Sequence, residues 1–110
     1  MAEQPEIENT APILRVKDMK TSLEYYEKVL GFKWAGWGDT FTFVGRDGHG
    51  MYLCEGSQGC VGTWVWVGSH DVTRLHGEYK QSGAKIILPP TNYPHALEMH
   101  VEDLDGHVLR

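Results

Sequence analysis

An α+β fold assembled from two β-α-β-β-β units is the architecture to which this chain points. A strand-like run, an Asp able to cap a helix, an amphipathic stretch and a Gly able to end it occur in that order twice, over residues 18–31 and again over 71–83. Asp47-Gly48-His49 in the first half is echoed by Asp105-Gly106-His107 in the second. Agreement in cap, stop and turn argues for a duplicated supersecondary unit even where side-chain identity is low. The pattern alone fits one continuous α+β domain equally well. With 110 residues, the chain has the length of one domain and buries roughly two-thirds of its unfolded surface.

Residues 1–10 hold Glu3, Pro5, Glu6 and Glu8 with almost no large apolar groups, the composition of a flexible, solvated arm. The domain proper is expected over 11–110, with one module at 11–55 and the other at 62–110. Residues 11–17 alternate as a strand, Leu14 and Val16 on one face and Ala11, Ile13 and Arg15 on the other. Asp18 is placed to cap a helix over 19–30, where Met19, Leu23, Tyr26 and Leu30 recur at helical spacing and Gly31 supplies a left-handed stop. Strands follow at 32–37, 40–44 and 51–55, joined by Gly-rich turns. In the second half, residues 62–68 form a strand, Asp71 caps a helix carrying Val72, Leu75 and Tyr79 that stops at Gly83, and strands occupy 85–88, 96–102 and 107–110. Only four residues follow Gly106, fewer than the usual five or six of a strand, so the natural chain is expected to continue beyond Arg110.

The net charge is −5 and no two Lys or Arg residues are adjacent, which argues against a nucleic-acid partner. No apolar run approaches the ~18 residues of a membrane span. Two cysteines, Cys54 and Cys60, without a secretory leader or a C-x-x-C spacing fit reduced thiols in a cytoplasmic protein.

Trp64-Val65-Trp66-Val67 places two indoles on one strand face and two valines on the other. A second layer can cover such a pair, or the pair can line a pocket for a flat or apolar ligand. Glu98-Met99-His100-Val101-Glu102 puts two carboxylates and an imidazole on one face at steps of about 6.5–7 Å. Such a trio can ligate a metal or do acid–base work, although three groups from one strand fan out, and a hydrogen-bonded polar face is the plainer reading. His49 and His107 lie in turns, where exposure is the default, and Cys54 reads as a small core hydrophobe on the helix side of its strand.

Asp18-Met-Lys-Thr-Ser-Leu-Glu-Tyr-Tyr-Glu-Lys-Val-Leu-Gly-Phe32 resembles the Asp-x-x-x-Ser-x-x-Phe-Tyr-x-x-Val-Leu-Gly-Phe stretch of the vicinal oxygen chelate superfamily, which holds glyoxalase I, extradiol dioxygenases, and fosfomycin and bleomycin resistance proteins. Ser82-Gly-Ala84 and Val101-Glu-Asp-Leu-Asp-Gly-His-Val-Leu109 are similar to its second-module signatures. The resemblance implies paired modules whose mixed sheets curl round a cleft, helices outside. It places Leu14, Val16, Val65, Val67, Met99 and Val101 toward the helices, with Trp64 and Trp66 in the cleft. The metal-ligand positions of the metal-dependent members fall on Ala11, Leu53, Trp64 and Arg110, of which none is a usual ligand, so no metal or other cofactor is expected.

That substitution pattern is similar to the metal-free bleomycin resistance proteins and implies antibiotic resistance by sequestration, with a small aromatic or cationic molecule held by a homodimer. Trp34, Trp37, Phe43, Trp64, Trp66 and Tyr93 are the expected stacking groups. Glu55, Glu98 and Glu102 are expected to give the cleft a negative sign, with His100 and Arg110 beside them. The alternative implied by the same family is a metal-dependent, glyoxalase-like lyase or dioxygenase with a displaced metal site, so whether the chain is an enzyme stays open at this level.

Overall fold

The structure is a computed structural model that describes residues 4–110. Of the arm expected over 1–10, residues 1–3 lie outside the described residues, while 4–10 are exposed and carry no regular secondary structure. The elements are β1 (Ile13–Arg15), α1 (Met19–Lys28), β2 (Lys33–Trp34), β3 (Phe41–Arg46), β4 (His49–Cys54), β5 (Trp64–Val65), α2 (Val72–Ser82), β6 (Lys85–Asn92), β7 (Leu97–Glu102) and β8 (Val108–Leu109). They form two four-stranded mixed sheets of matching order, β1-β4-β3-β2 and β5-β8-β7-β6, so the duplicated α+β architecture is the one observed. In each, the first strand runs parallel to the last and the remaining pairs are antiparallel.

The caps divide between expectation and correction. Asp71 caps α2 as expected, accepting a hydrogen bond from the Arg74 N–H at 3.0 Å, and Gly83 ends the helix at φ 86°. Asp18 occupies the corresponding position before α1, but its carboxylate takes the Thr21 hydroxyl at 2.6 Å instead of a backbone N–H. The first amide of α1, Met19 N–H, donates to Glu55 at 2.6 Å. Glu55 arrives from the far end of β4, so a helix-terminal donor is satisfied across the module rather than locally.

Strand β6 is longer than expected, running through Pro89 and Pro90. It lies at the edge of its sheet, where one side of the strand needs no donors, and its pairing with β7 shifts register around the prolines. The β3–β4 hairpin closes on Asp47 (φ 54°) and Gly48 (φ 80°), a two-residue turn with both residues left-handed. That turn pairs Arg46 with His49 and therefore Phe43 with Tyr52 and Phe41 with Cys54. Tyr52 and Cys54 consequently share the face of Phe41 and Phe43, whereas Met51 and Leu53 go into the core. The helix-side assignment of Cys54 is thereby corrected.

One apolar core joins the modules: Leu14, Tyr26, Leu30, Val44 and Leu53 from the first meet Tyr79, Met99, Val101 and Leu109 from the second. A polar seam crosses it. Tyr26 donates to Asp103 at 2.6 Å, and the other Asp103 oxygen accepts the backbone N–H groups of Asp105 and His107, both at 2.9 Å. Asp105 in turn accepts from Lys17 N–H and the Ser22 hydroxyl. The reciprocal contacts come from α2, where the Tyr79 and Ser82 hydroxyls donate to the Leu30 and Val29 carbonyls and Glu78 pairs with Arg46. Burial and the nearby Asp103 carboxylate push the Tyr26 phenol well above its ordinary value; burial takes that of Tyr79 to about 12.

His107, expected in an exposed turn, is fully buried. Its Nδ1 accepts the Thr63 N–H at 3.0 Å, which leaves the proton on Nε2, and Nε2 donates to the Arg15 carbonyl at 2.6 Å. The ring therefore ties β1 of one module to the β5–β8 edge of the other. Replacing His107 by Ala leaves a cavity and two partly buried backbone groups without partners, so H107A is expected to lose about 2–4 kcal/mol. Urea unfolding at constant m-value reads this directly, and a loss below ~0.5 kcal/mol would contradict a bridging role.

Candidate functional site

The second sheet turns one face to the core and the other outward. Val65 and Val67 pack against the core, and Met99 and Val101 lie within it, so Trp64 and Trp66 project from the opposite face as the alternation requires. Register places Trp64 beside Val108 and Val108 beside Glu102. Backbone bonds from Val67 N–H to the Arg110 carbonyl and from Arg110 N–H to the Val65 carbonyl, each 2.8 Å, set Trp66 beside Arg110. Trp64 is 55% exposed and Trp66 64%, so within one chain nothing covers either indole.

Glu98 is the hub beneath them. It is buried, and Arg110 grips it with a two-pronged contact, Nε to one oxygen at 3.0 Å and Nη2 to the other at 2.9 Å. His95 Nε2 adds a contact at 2.6 Å and His100 Nε2 one at 3.1 Å. Hydrogen bonds from Arg110, then from His95, outweigh the desolvation that opposes them and hold the Glu98 carboxyl at about 2. The network positions the rings: His100 stands edge-on to Trp64 at 5.1 Å, the Arg110 guanidinium lies 5.9 Å from the Trp66 ring, and Tyr93 stacks on His95 at 5.7 Å.

The first sheet carries a second aromatic face that sequence reading caught only in part. Trp37 leans on Phe41 (6.3 Å), Phe41 stacks on Tyr52 (5.1 Å, 13°), and Phe43 meets Tyr52 edge-on (5.0 Å). Trp37 and Phe43 were expected here; Phe41 and Tyr52 were not. The signal for Tyr52 was the Asp-Gly turn, since a two-residue hairpin loop fixes the pairing back to Phe43. Phe43 lies over the paired Gly45 and Gly50, and a Cβ on Gly50 would stand 2.6 Å from its ring.

Two expected members do not belong to these faces. Trp34 pairs with Val44, whose side chain is in the core, and its indole N–H donates to Thr42 at 2.8 Å. It therefore lines a crevice against α1 with Leu23, Glu24 and Glu27. Glu55 lies beside the same crevice and is committed to Met19. Nor do Glu98 and Glu102 form a free acidic rim, because Arg110 and both histidines engage the first and Lys85 the second, at 2.9 Å.

Residues 7–110 match the model of the Glyoxalase/Bleomycin resistance protein/Dioxygenase superfamily, and the chain belongs to that family. Among solved structures it is similar to the bleomycin-binding protein of bleomycin-producing Streptomyces verticillus, crystallised with copper(II)-bleomycin, at 18% identity and a TM-score of 0.82 over 96% of this chain and 95% of that one. TioX from Micromonospora sp. ML1 follows at 20% identity and 0.71 over 92% and 91%. A superfamily member from Sphaerobacter thermophilus DSM 20745 matches at 18% and 0.72 over 94% of each. No curated protein matches the chain.

The divalent ion held by some relatives of this fold does not fit the donors present. Of the four carried-over positions, Leu53 is buried on the core side, Trp64 and Arg110 offer no lone pair, and Ala11 has no donor. The register of β4 puts Tyr52 and Cys54 on the aromatic face in its place. Among the described residues no three His, Cys, Asp or Glu side chains converge on a point where an ion could sit.

Because the folded-state value for Glu98 is depressed from 4.5 to about 2, its ionic contribution is fully present above pH 4.5 and is lost as pH falls through about 2. The Glu98 carboxyl 13C resonance is expected to titrate near 2, and in R110A to move back toward 4.5. A midpoint near 4.5 in the unmodified chain would dismiss the hub.

Proposed function

We propose that this protein binds a small planar aromatic molecule without transforming it, in a Trp-lined cleft completed by a second copy of the chain. The observation that carries the reading is the open pair of indoles. Trp64 and Trp66 are more than half exposed, yet each is held against a neighbour, His100 or Arg110, that is itself locked onto Glu98. Indoles held in place lose little side-chain entropy on binding, so stacking contributes affinity at low cost. A homodimer supplies the missing wall if the Phe41–Tyr52–Phe43 face of the partner lies opposite, and the thin 46 × 40 × 22 Å body, with a radius of gyration of 15.2 Å against about 13 Å for a compact chain of this length, suits such an open protomer.

Sequestration is favoured over chemistry because the polar groups of the face are committed to one another: Glu98 to Arg110 and two imidazoles, Glu102 to Lys85. The likeness to the bleomycin-binding protein, which shares the fold at low identity, agrees with drug binding as the role. Two unbridged thiols, Cys54 and Cys60, fit a reducing cytoplasmic setting.

Titration with a flat, uncharged aromatic compound such as 2-naphthamide is expected to quench Trp fluorescence saturably, with W64A and W66A each weakening binding about 5–30-fold. Sedimentation is expected to give twice the 12.4 kDa chain mass. Non-saturating quenching, or a strictly monomeric species that still binds, counts against the cleft as described.

A further inference from the structure

Of the four arginines, Arg74 lies exposed on α2, and the other three, in or beside the sheets, are treated differently. Arg46 holds Glu78 through two nitrogens at 2.6 and 2.8 Å, and Arg110 holds Glu98 likewise. Arg15 forms no ion pair among the described residues. Its Nη2 donates to the Ser57 carbonyl at 2.7 Å, while its Nε is buried without a hydrogen-bond partner. A buried guanidinium N–H left unpaired is costly, and such groups are rare enough to ask for a partner that the chain does not supply.

The position of Arg15 says where that partner comes from. Register sets Arg15 beside Cys54 and Cys54 beside Phe41, while Ile13, two residues earlier, lies beside Tyr52 and Tyr52 beside Phe43. Arg15 therefore stands on the aromatic face of the first sheet, one strand spacing, about 4.8 Å, from the strand that carries Tyr52. A ring stacked on Phe41, Tyr52 and Phe43 brings a substituent on its edge toward the guanidinium. A planar oxyanion matches the guanidinium fork, and the half-buried setting strengthens the contact.

We propose that Arg15 selects the ligand by its charge, receiving a carboxylate borne on the aromatic molecule that the face stacks. This rests on the aromatic-binding reading and narrows it to aromatic acids. The acidic rim expected from the sequence would have opposed such a ligand, but its three carboxylates are all engaged elsewhere. The overall charge of −5 does not decide the matter, since contact distance within a sheltered face outweighs screened charges more than ~8–10 Å away.

The test compares 2-naphthoate with its uncharged counterpart 2-naphthamide by Trp fluorescence, in the unmodified chain and in R15Q and R15K. The unmodified protein is expected to bind naphthoate about tenfold more tightly than naphthamide. R15Q is expected to abolish that preference while leaving naphthamide affinity within about twofold, and R15K, which keeps the charge but not the fork, to retain part of it. Equal binding of the two probes by the unmodified protein overturns the role of Arg15, whichever variants fold, and so does a preference that survives in R15Q. If neither probe quenches saturably, both this inference and the aromatic-binding reading fail together, which separates that outcome from the loss of charge selection alone.

Discussion

Burial of polar groups at the junction between the modules is the constraint from which the remaining structure follows. Asp103, His107 and Tyr26 are all buried, and each would be costly to desolvate alone. They are tolerable because every partner is in reach: the phenol and two backbone amides for Asp103, the Thr63 amide and the Arg15 carbonyl for His107. A network of this kind is intolerant of displacement, since moving one module by an ångström or two would orphan several groups at once. It thereby fixes how the two sheets are oriented, and hence where their outer faces point. The apolar core supplies most of the driving force but is less particular about geometry.

The outer faces are built by a different logic. Large aromatic groups left in water are tolerated when something holds them for a purpose, and on the second sheet that support is ionic. Glu98 gathers Arg110, His95 and His100, and those cations or rings in turn set Trp66, Tyr93 and Trp64. On the first sheet the support is steric: paired glycines let Phe43 lie flat, and Tyr52 locks between Phe41 and Phe43. One face has its charges neutralised from within. The other keeps a guanidinium whose Nε has no partner, and that asymmetry distinguishes what each can recognise.

Periodicity was most informative where both faces of a strand differ in character. Trp64-Val65-Trp66-Val67 and Glu98-Met99-His100-Val101-Glu102 have a valine or methionine on every second position, and their faces were read correctly from alternation. Residues 51–55 offered no such contrast, because Met, Leu and Cys are all plausible in a core and Tyr on either side. Their face was settled by the length of the Asp47-Gly48 turn. Trp34 misled for a related reason: a two-residue strand is too short for a period, and pairing with Val44 decided its side.

What the sequence determined by itself was local: the order of elements, the Asp71 cap, the Gly83 stop and the duplication, all carried by residues within a few positions of one another. Helix α1, expected to run to a Gly31 stop, ends earlier, at Lys28 with Val29 as its cap. Tertiary structure decided what depends on distant partners. Glu55 became the cap of α1, His107 left the surface to bridge the modules, Glu98 acquired three hydrogen-bonding neighbours and the Arg15 Nε none. The physical reason is the range of the interactions. Helix stops and strand alternation are set by backbone geometry over a few residues, whereas a hydrogen bond to a side chain 36 or 92 positions away leaves no mark in the local pattern at either end.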